Sequence, residues 1–254
     1  MSNSTDTLLT ATDVRPVAAV LIDLDSTILD EAYVARASYA ACLVVTSERP
    51  DIDPVALAQA NFESWMGYWP KAEIPWILGQ LGTDELRFET WRRTFERFDV
   101  SDSAFIRHVA QLHYEIELGE YRAFEDVAVI LDSAAANGVK TAVVTNGASD
   151  TQREKLRILG LIDRFDALIV SADTAVAKPD PGIFERALSE LGVSAASTVH
   201  VGDSLRSDVG GAIASGIGAV WLNRENAARG EDDPVPDLEV ASLVEVAALW
   251  EAAG

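Results

Sequence analysis

Cysteine is almost absent from this chain: Cys42 is the only one in 254 residues. No internal disulfide can form, and with no export signal legible, a reducing cytosol is the expected compartment. Cys42 lies in an apolar stretch, Ala-Ala-Cys-Leu-Val-Val, and reads as a buried structural thiol rather than a nucleophile. Apolar runs are short. The run from Val17 to Ile22 has six residues, against roughly 18 for a membrane span. Met1 to Asp13 is rich in Ser, Thr and Asp. It carries neither the basic nor the apolar segment of a secretory leader and reads as a short mobile tail.

Positive charge is also scarce. Lys and Arg total 20 against 41 Asp and Glu, a formal charge of −21. That balance argues against nucleic acid and anionic membranes as partners. A phosphate site in such a chain is a local exception, built from a cation, a few basic side chains and backbone N–H groups. What the chain does have is apolar content: 48% hydrophobic residues over a length that supports one or two domains with a sizeable core.

The pattern along the chain falls into three zones. Val17–Ile22, entered from Pro16, reads as a buried strand. Residues 30–120 read as helical, with an Ala-rich segment from Glu31 and a helix opened by Asp53-Pro54. Further helical segments run from Thr83 and from Ser103. From residue 121 onward, helices and strands alternate. Helices are expected at Asp126–Ala136, from Ser149 to Gly160, from Asp180-Pro181 to Gly192, and at Asp208–Ala214. Ser149 to Gln152 has the form of a capping box. Strands are expected at Val139–Thr145, Asp166–Val170, Thr198–Val201 and Ile217–Leu222, with a last one at Asp237–Val240. Repeated βα units imply a parallel sheet covered on both faces.

The expected architecture is therefore α/β. A Rossmann-like, doubly wound parallel sheet core is formed by residues 1–29 plus 121–254, with an α-helical domain, 30–120, inserted after the first strand. Aromatic usage agrees: 14 of the 19 aromatic residues lie between Tyr33 and Tyr121. A small helical insert uses large rings to make its own core. Tyr68-Trp69-Pro70-Lys71 reads as a Pro-broken loop unable to bury its rings, and Trp69 and Lys71 are its candidates for substrate contact.

In an open parallel sheet, ligands bind outside the carboxyl ends of the strands. The first strand ends in Asp23-Leu24-Asp25-Ser26-Thr27. Two carboxylates turned toward one strand end repel each other, and a divalent cation resolves the conflict. The stretch suggests a Mg²⁺ site beside a nucleophilic carboxylate. A turn in which Asp25 or Ser26 caps a helix is the plain alternative. The second strand ends in Thr145-Asn146-Gly147, and the fourth in Gly202-Asp203-Ser204-Leu205-Arg206-Ser207-Asp208. Between them Lys178, one of only four lysines, stands at a helix entrance. Each of these has an ordinary reading as turn, cap or solvated charge. Their common position on one rim favours a site.

This set of motifs, in this order and across essentially the whole chain, resembles the haloacid dehalogenase-like superfamily, with the insert as its C1-type cap. The resemblance implies a Mg²⁺-dependent phosphatase acting on a small phosphorylated metabolite through an aspartyl-phosphate. It implies Asp23 as nucleophile and metal ligand, and Asp25 as acid/base that gives its backbone carbonyl to the metal. Asp203 follows as a further ligand, and Asp208 stands behind them. Thr145, the Asn146 N–H and Lys178 hold the phosphoryl oxygens. Ser204, Arg206 and His200 stay outside this assignment. A phosphomutase of the β-phosphoglucomutase type is an alternative within the family. A metal-free dehalogenase is another, but there the position matching Asp25 is not an acid. The motifs leave the substrate open.

Overall fold

The computed structural model describes residues 17–251; the expected N-terminal tail and the end of the last helix at Ala252 lie outside them. Six strands form one parallel sheet: β1 (Ala19–Ile22), β2 (Lys140–Thr145), β3 (Ala167–Val170), β4 (Thr198–Gly202), β5 (Gly218–Leu222) and β6 (Leu238–Val240). Their order is β3-β2-β1-β4-β5-β6. β1 is central, with Ile22 level with Val143 on one side and Val201 on the other. This register brings the residues that follow β1, β2 and β4 to one edge, and chain order reverses about β1 there.

Side chains alternate along β1, so it feeds two cores. Val20 and Ile22 pack with α5 (Asp126–Asn137), α6 (Ser149–Ile158) and α10 (Leu243–Glu251) through Ile130, Leu156 and Val246. Ala19 and Leu21 face α8 (Pro181–Leu191) and α9 (Gly210–Ala214), where Phe184 and Ala212 are fully buried. A short helix, α7 (Ser171–Thr174), follows β3.

The four helices between β1 and α5 are α1 (Tyr33–Glu48), α2 (Pro54–Ile77), α3 (Thr83–Glu96) and α4 (Ser103–Glu120). They share a core of their own that includes Cys42, Leu57, Trp91, Phe95 and Ile106. Cys42 is fully buried there, and burial pushes its thiol up to about 12. As expected, Asp53 caps α2, its side chain accepting from the Ala56 N–H.

Two local expectations fail. The Tyr68–Lys71 segment is not a Pro-broken loop, because α2 continues through Pro70 and Pro75 to Ile77. Each proline removes a helical donor. The ring row of Trp65, Trp69 and Trp76, with centroids 4.8 and 5.7 Å apart, supplies packing that offsets the loss. The capping box at Ser149 does not form either. Ala148 is the N-cap residue, and the Gln152 side chain turns away from the helix end toward the first motif. The helix expected from Asp208 begins instead at Gly210, as α9, and Asp208 itself lies in a π-helical turn, Leu205–Val209.

Candidate active site

Lys178 is the hub of the site. Its ammonium, nearly excluded from solvent, donates to Asp23 Oδ1 at 2.5 Å and to Asp208 Oδ1 at 2.7 Å. Burial would lower the Lys178 pKa, but Asp208 and Asp23 outweigh it and raise it, so the side chain stays charged. Burial pushes the Asp23 carboxyl well above the usual range; Lys178 opposes the shift, and Asp208, Asp203 and Asp25 add to it. Burial would also raise Asp208, but Lys178 and His200 outweigh that and hold it below the ordinary carboxylate range.

Asp208 is held from several sides. His200 Nε2 lies 3.0 Å from Oδ1, and the Ser204 N–H donates to Oδ2 at 3.0 Å. Burial lowers the His200 pKa, so a neutral ring donates to the carboxylate. Gly202 makes room for this carboxylate, since a Cβ there would stand 2.3 Å from Asp208 Cγ. His200 and Ser204 thus belong to the site's support, although the sequence reading left them out.

Asp203 reaches the cavity from the loop after β4, its backbone held by the Trp221 Nε1–H to Asp203 O bond of 2.8 Å. Asp203 is exposed at the mouth of the cleft, and partial desolvation of its carboxyl there, with Asp208 next in effect, pushes it up to about 7. Asp23, Asp203 and Asp208 bring carboxylate oxygens within 4.8 Å of one another. This is the donor set of a hard divalent cation, and the raised values of Asp23 and Asp203 mark where such charge is wanted. The Asp208 oxygens already serve Lys178, His200 and Ser204. Asp23 and Asp203 therefore fit as the nearer ligands.

Asp25 does not cap a helix: Ala32 is the cap of α1. Its two oxygens take separate donors from α6. Lys155 Nζ lies 2.6 Å from Oδ1, and Gln152 Nε2 lies 2.8 Å from Oδ2. Gln152 Nε2 also donates to Thr145 Oγ1 at 2.7 Å. The Thr145 hydroxyl, almost fully buried, thereby keeps its own proton to donate. Neither Gln152 nor Lys155 was foreseen. Their only sequence signal is a spacing of three on a helix that follows the second motif, which places both on one face.

Asn146 meets Lys178 through its side chain. Oδ1 accepts from the Lys178 N–H at 2.8 Å, and Nδ2 donates to the Lys178 carbonyl at 3.0 Å. Asp23, Asp25, Thr145, Asn146, Lys178, Asp203 and Asp208 all line one cavity of about 1050 Å³. Trp69 lines it from the helical side, with Trp65, Trp76 and Tyr39. Arg206 is also on its wall. Lys71, the other residue assigned to substrate contact, is exposed and does not line the cavity.

A family model described as "Hydrolase: haloacid dehalogenase-like hydrolase" matches residues 17–216, most of the chain and all of the site. The chain belongs to the haloacid dehalogenase-like hydrolase family. It is 28% identical to N-acylneuraminate-9-phosphatase of Homo sapiens over 92% of this chain and 94% of that protein. It is 37% identical to phosphoserine phosphatase of Thermus thermophilus over 55% of each chain; that match spans only about half the length of the relative. Among solved structures, 2-haloacid dehalogenase from Pseudomonas syringae pv. Tomato DC3000 aligns over 94% of this chain and all of its own. The TM-score is 0.68, at 26% identity. Among the described residues, no helix of this family member is long and apolar enough to cross a membrane.

Proposed function

We propose that this protein is a Mg²⁺-dependent phosphomonoester hydrolase that works through an aspartyl-phosphate. The observation that carries the reading is the arrangement of Asp23 and Asp25. Asp23 faces Lys178, Asp203 and Asp208, while Asp25 stands apart, held by α6.

An Asp23 carboxylate oxygen attacks phosphorus, and the bond from phosphorus to the ester oxygen breaks. Asp25 enters the cycle protonated and gives that proton to the leaving oxygen, becoming the carboxylate that serves the second step. A water then adds to the phosphoryl group and gives its proton to Asp25, releasing inorganic phosphate and restoring Asp23. The Lys178 ammonium, the Thr145 hydroxyl and the Asn146 N–H hold the phosphoryl oxygens. Asp23, the Asp25 backbone carbonyl and Asp203 would hold Mg²⁺, which supplies positive charge to the phosphoryl oxygens. Asp208 keeps Lys178 aimed at Asp23.

The four inserted helices form the cap, and substrate enters between them and the core. The cavity admits a small phosphorylated metabolite, with Trp69 on the face that meets its leaving group. The lone buried thiol supports a reducing cytosol as the working compartment. A relative named as a dehalogenase raises a metal-free alternative, but an acid held at position 25 by two donors favours phosphate chemistry. The test is a panel of phosphomonoesters with Mg²⁺ or EDTA. Turnover should appear with Mg²⁺ and vanish with EDTA. Full activity in EDTA would overturn the reading.

A further inference from the structure

α6 presents two polar side chains to the first motif, one turn apart. Lys155 is 4% exposed and Gln152 is fully buried. A lysine costs free energy in such a place, and an apolar side chain would pack there more cheaply. Its ammonium meets Asp25 at 2.6 Å and thereby fixes one carboxylate oxygen. Gln152 fixes the other, and the same amide nitrogen reaches Thr145 Oγ1. One face of one helix therefore holds two groups that must be aligned on the same phosphoryl centre.

The Gln152 position is itself braced. Gly147 has φ +152°, and a Cβ there would stand 2.9 Å from both Gln152 Cδ and Trp76 Cη2. The glycine thus lets the amide and a ring of α2 come together beside Thr145. Trp76 Nε1–H donates to Thr83 Oγ1 at 2.9 Å, and the Thr83 and Thr151 hydroxyls are 2.7 Å apart. A chain of contacts thus links the helical insert to α6 next to Gln152.

We propose that Gln152 and Lys155 are positioning residues that hold the Asp25 carboxylate in line with the leaving oxygen, with Gln152 setting the Thr145 hydroxyl at the same time. The proposal rests on Asp25 being the acid/base. Lys155 acts through Asp25, and Gln152 through Asp25 and Thr145.

Lys155→Met and Gln152→Met remove the donors at similar size. The readout is kcat/KM for two probes, an alkyl phosphomonoester and p-nitrophenyl phosphate, with Mg²⁺. Alkoxide departure needs the proton from Asp25; p-nitrophenolate departs without it. Lys155→Met should lose about tenfold or more on the alkyl ester and less than about threefold on the aryl ester, whereas Gln152→Met, which also frees Thr145, should lose on both esters and by more on the alkyl one. Equal losses on both probes, as from general loosening, or no loss on either, would overturn the proposal. A crystal structure of Lys155→Met gives a readout independent of turnover. The Asp25 side chain should leave its present rotamer, and an unmoved carboxylate would refute the role. Wild-type protein that hydrolyses neither ester would count against the proposed function instead, and the rotamer would still decide the positioning role.

Discussion

Asn146 and Lys178 clasp each other through a reciprocal pair of hydrogen bonds, the amide oxygen accepting at 2.8 Å and the amide nitrogen donating at 3.0 Å. The bonds join the loop after β2 to the loop that carries the hub cation. Asn146→Ala removes both and leaves the Lys178 backbone N–H and C=O without those partners. It should cost about 2 kcal/mol of stability and lower kcat/KM about tenfold or more. Denaturant unfolding and steady-state kinetics check both. Wild-type kinetics in the variant would show that the clasp is not needed for placement of Lys178.

Mg²⁺ binding should depend on pH through Asp203. Desolvation and the neighbouring Asp208 push its carboxyl up to about 7, so below that pH a proton competes with the cation. As pH rises through about 7, ionisation should strengthen binding, with proton release on binding greatest below that pH. Calorimetric titrations with Mg²⁺ at pH 5.5 and 8 should show the stronger binding at pH 8. Affinity that does not change between them would remove Asp203 as a ligand.

Gly147 stands where added bulk is poorly tolerated. Its φ of +152° and the 2.9 Å approaches to Trp76 and Gln152 leave no room for a methyl group. Gly147→Ala should destabilise the protein by about 1–3 kcal/mol and disturb Gln152 and Trp76 together. Thermal unfolding measures the first effect. A variant of unchanged stability would show that this junction yields more easily than the geometry implies.

Trp69 and Lys71 separate two roles on one helix. Trp69 lines the cavity, whereas Lys71 points outside it. Trp69→Ala should raise KM for preferred substrates by roughly threefold or more while kcat for p-nitrophenyl phosphate stays within about twofold. Lys71→Ala should leave both constants unchanged. Kinetics on the two variants decide the matter; an effect confined to Lys71→Ala would reverse the assignment.

Much of this architecture is legible in the sequence. The Val17–Ile22 run, the Asp53-Pro54 and Asp180-Pro181 helix starts, and the glycine stops at Gly138, Gly160 and Gly192 are local signals that tertiary packing did not override. The rim motifs were legible because parallel topology carries strand ends to one edge. What escaped was set by distant partners. Pro70 looked like a break because the ring row that supports α2 is a packing feature, absent from local propensity. Gln152 looked like a cap partner because nothing nearby in the sequence announces Asp25, 127 residues away. Lys155 and His200 carry no motif of their own, and only burial beside a carboxylate reveals what they do.

The account stands chiefly on Asp23 as the residue that accepts the phosphoryl group. The most direct measurement is acid quenching during turnover with Mg²⁺, followed by peptide mass spectrometry, on wild type and Asp23→Asn. Wild type should carry one phosphoryl group on the peptide containing Asp23. Asp23→Asn should carry none and lose about 10³-fold or more in rate, with its circular dichroism unchanged. A phosphoryl group on another residue, or turnover retained in Asp23→Asn, would contradict the account.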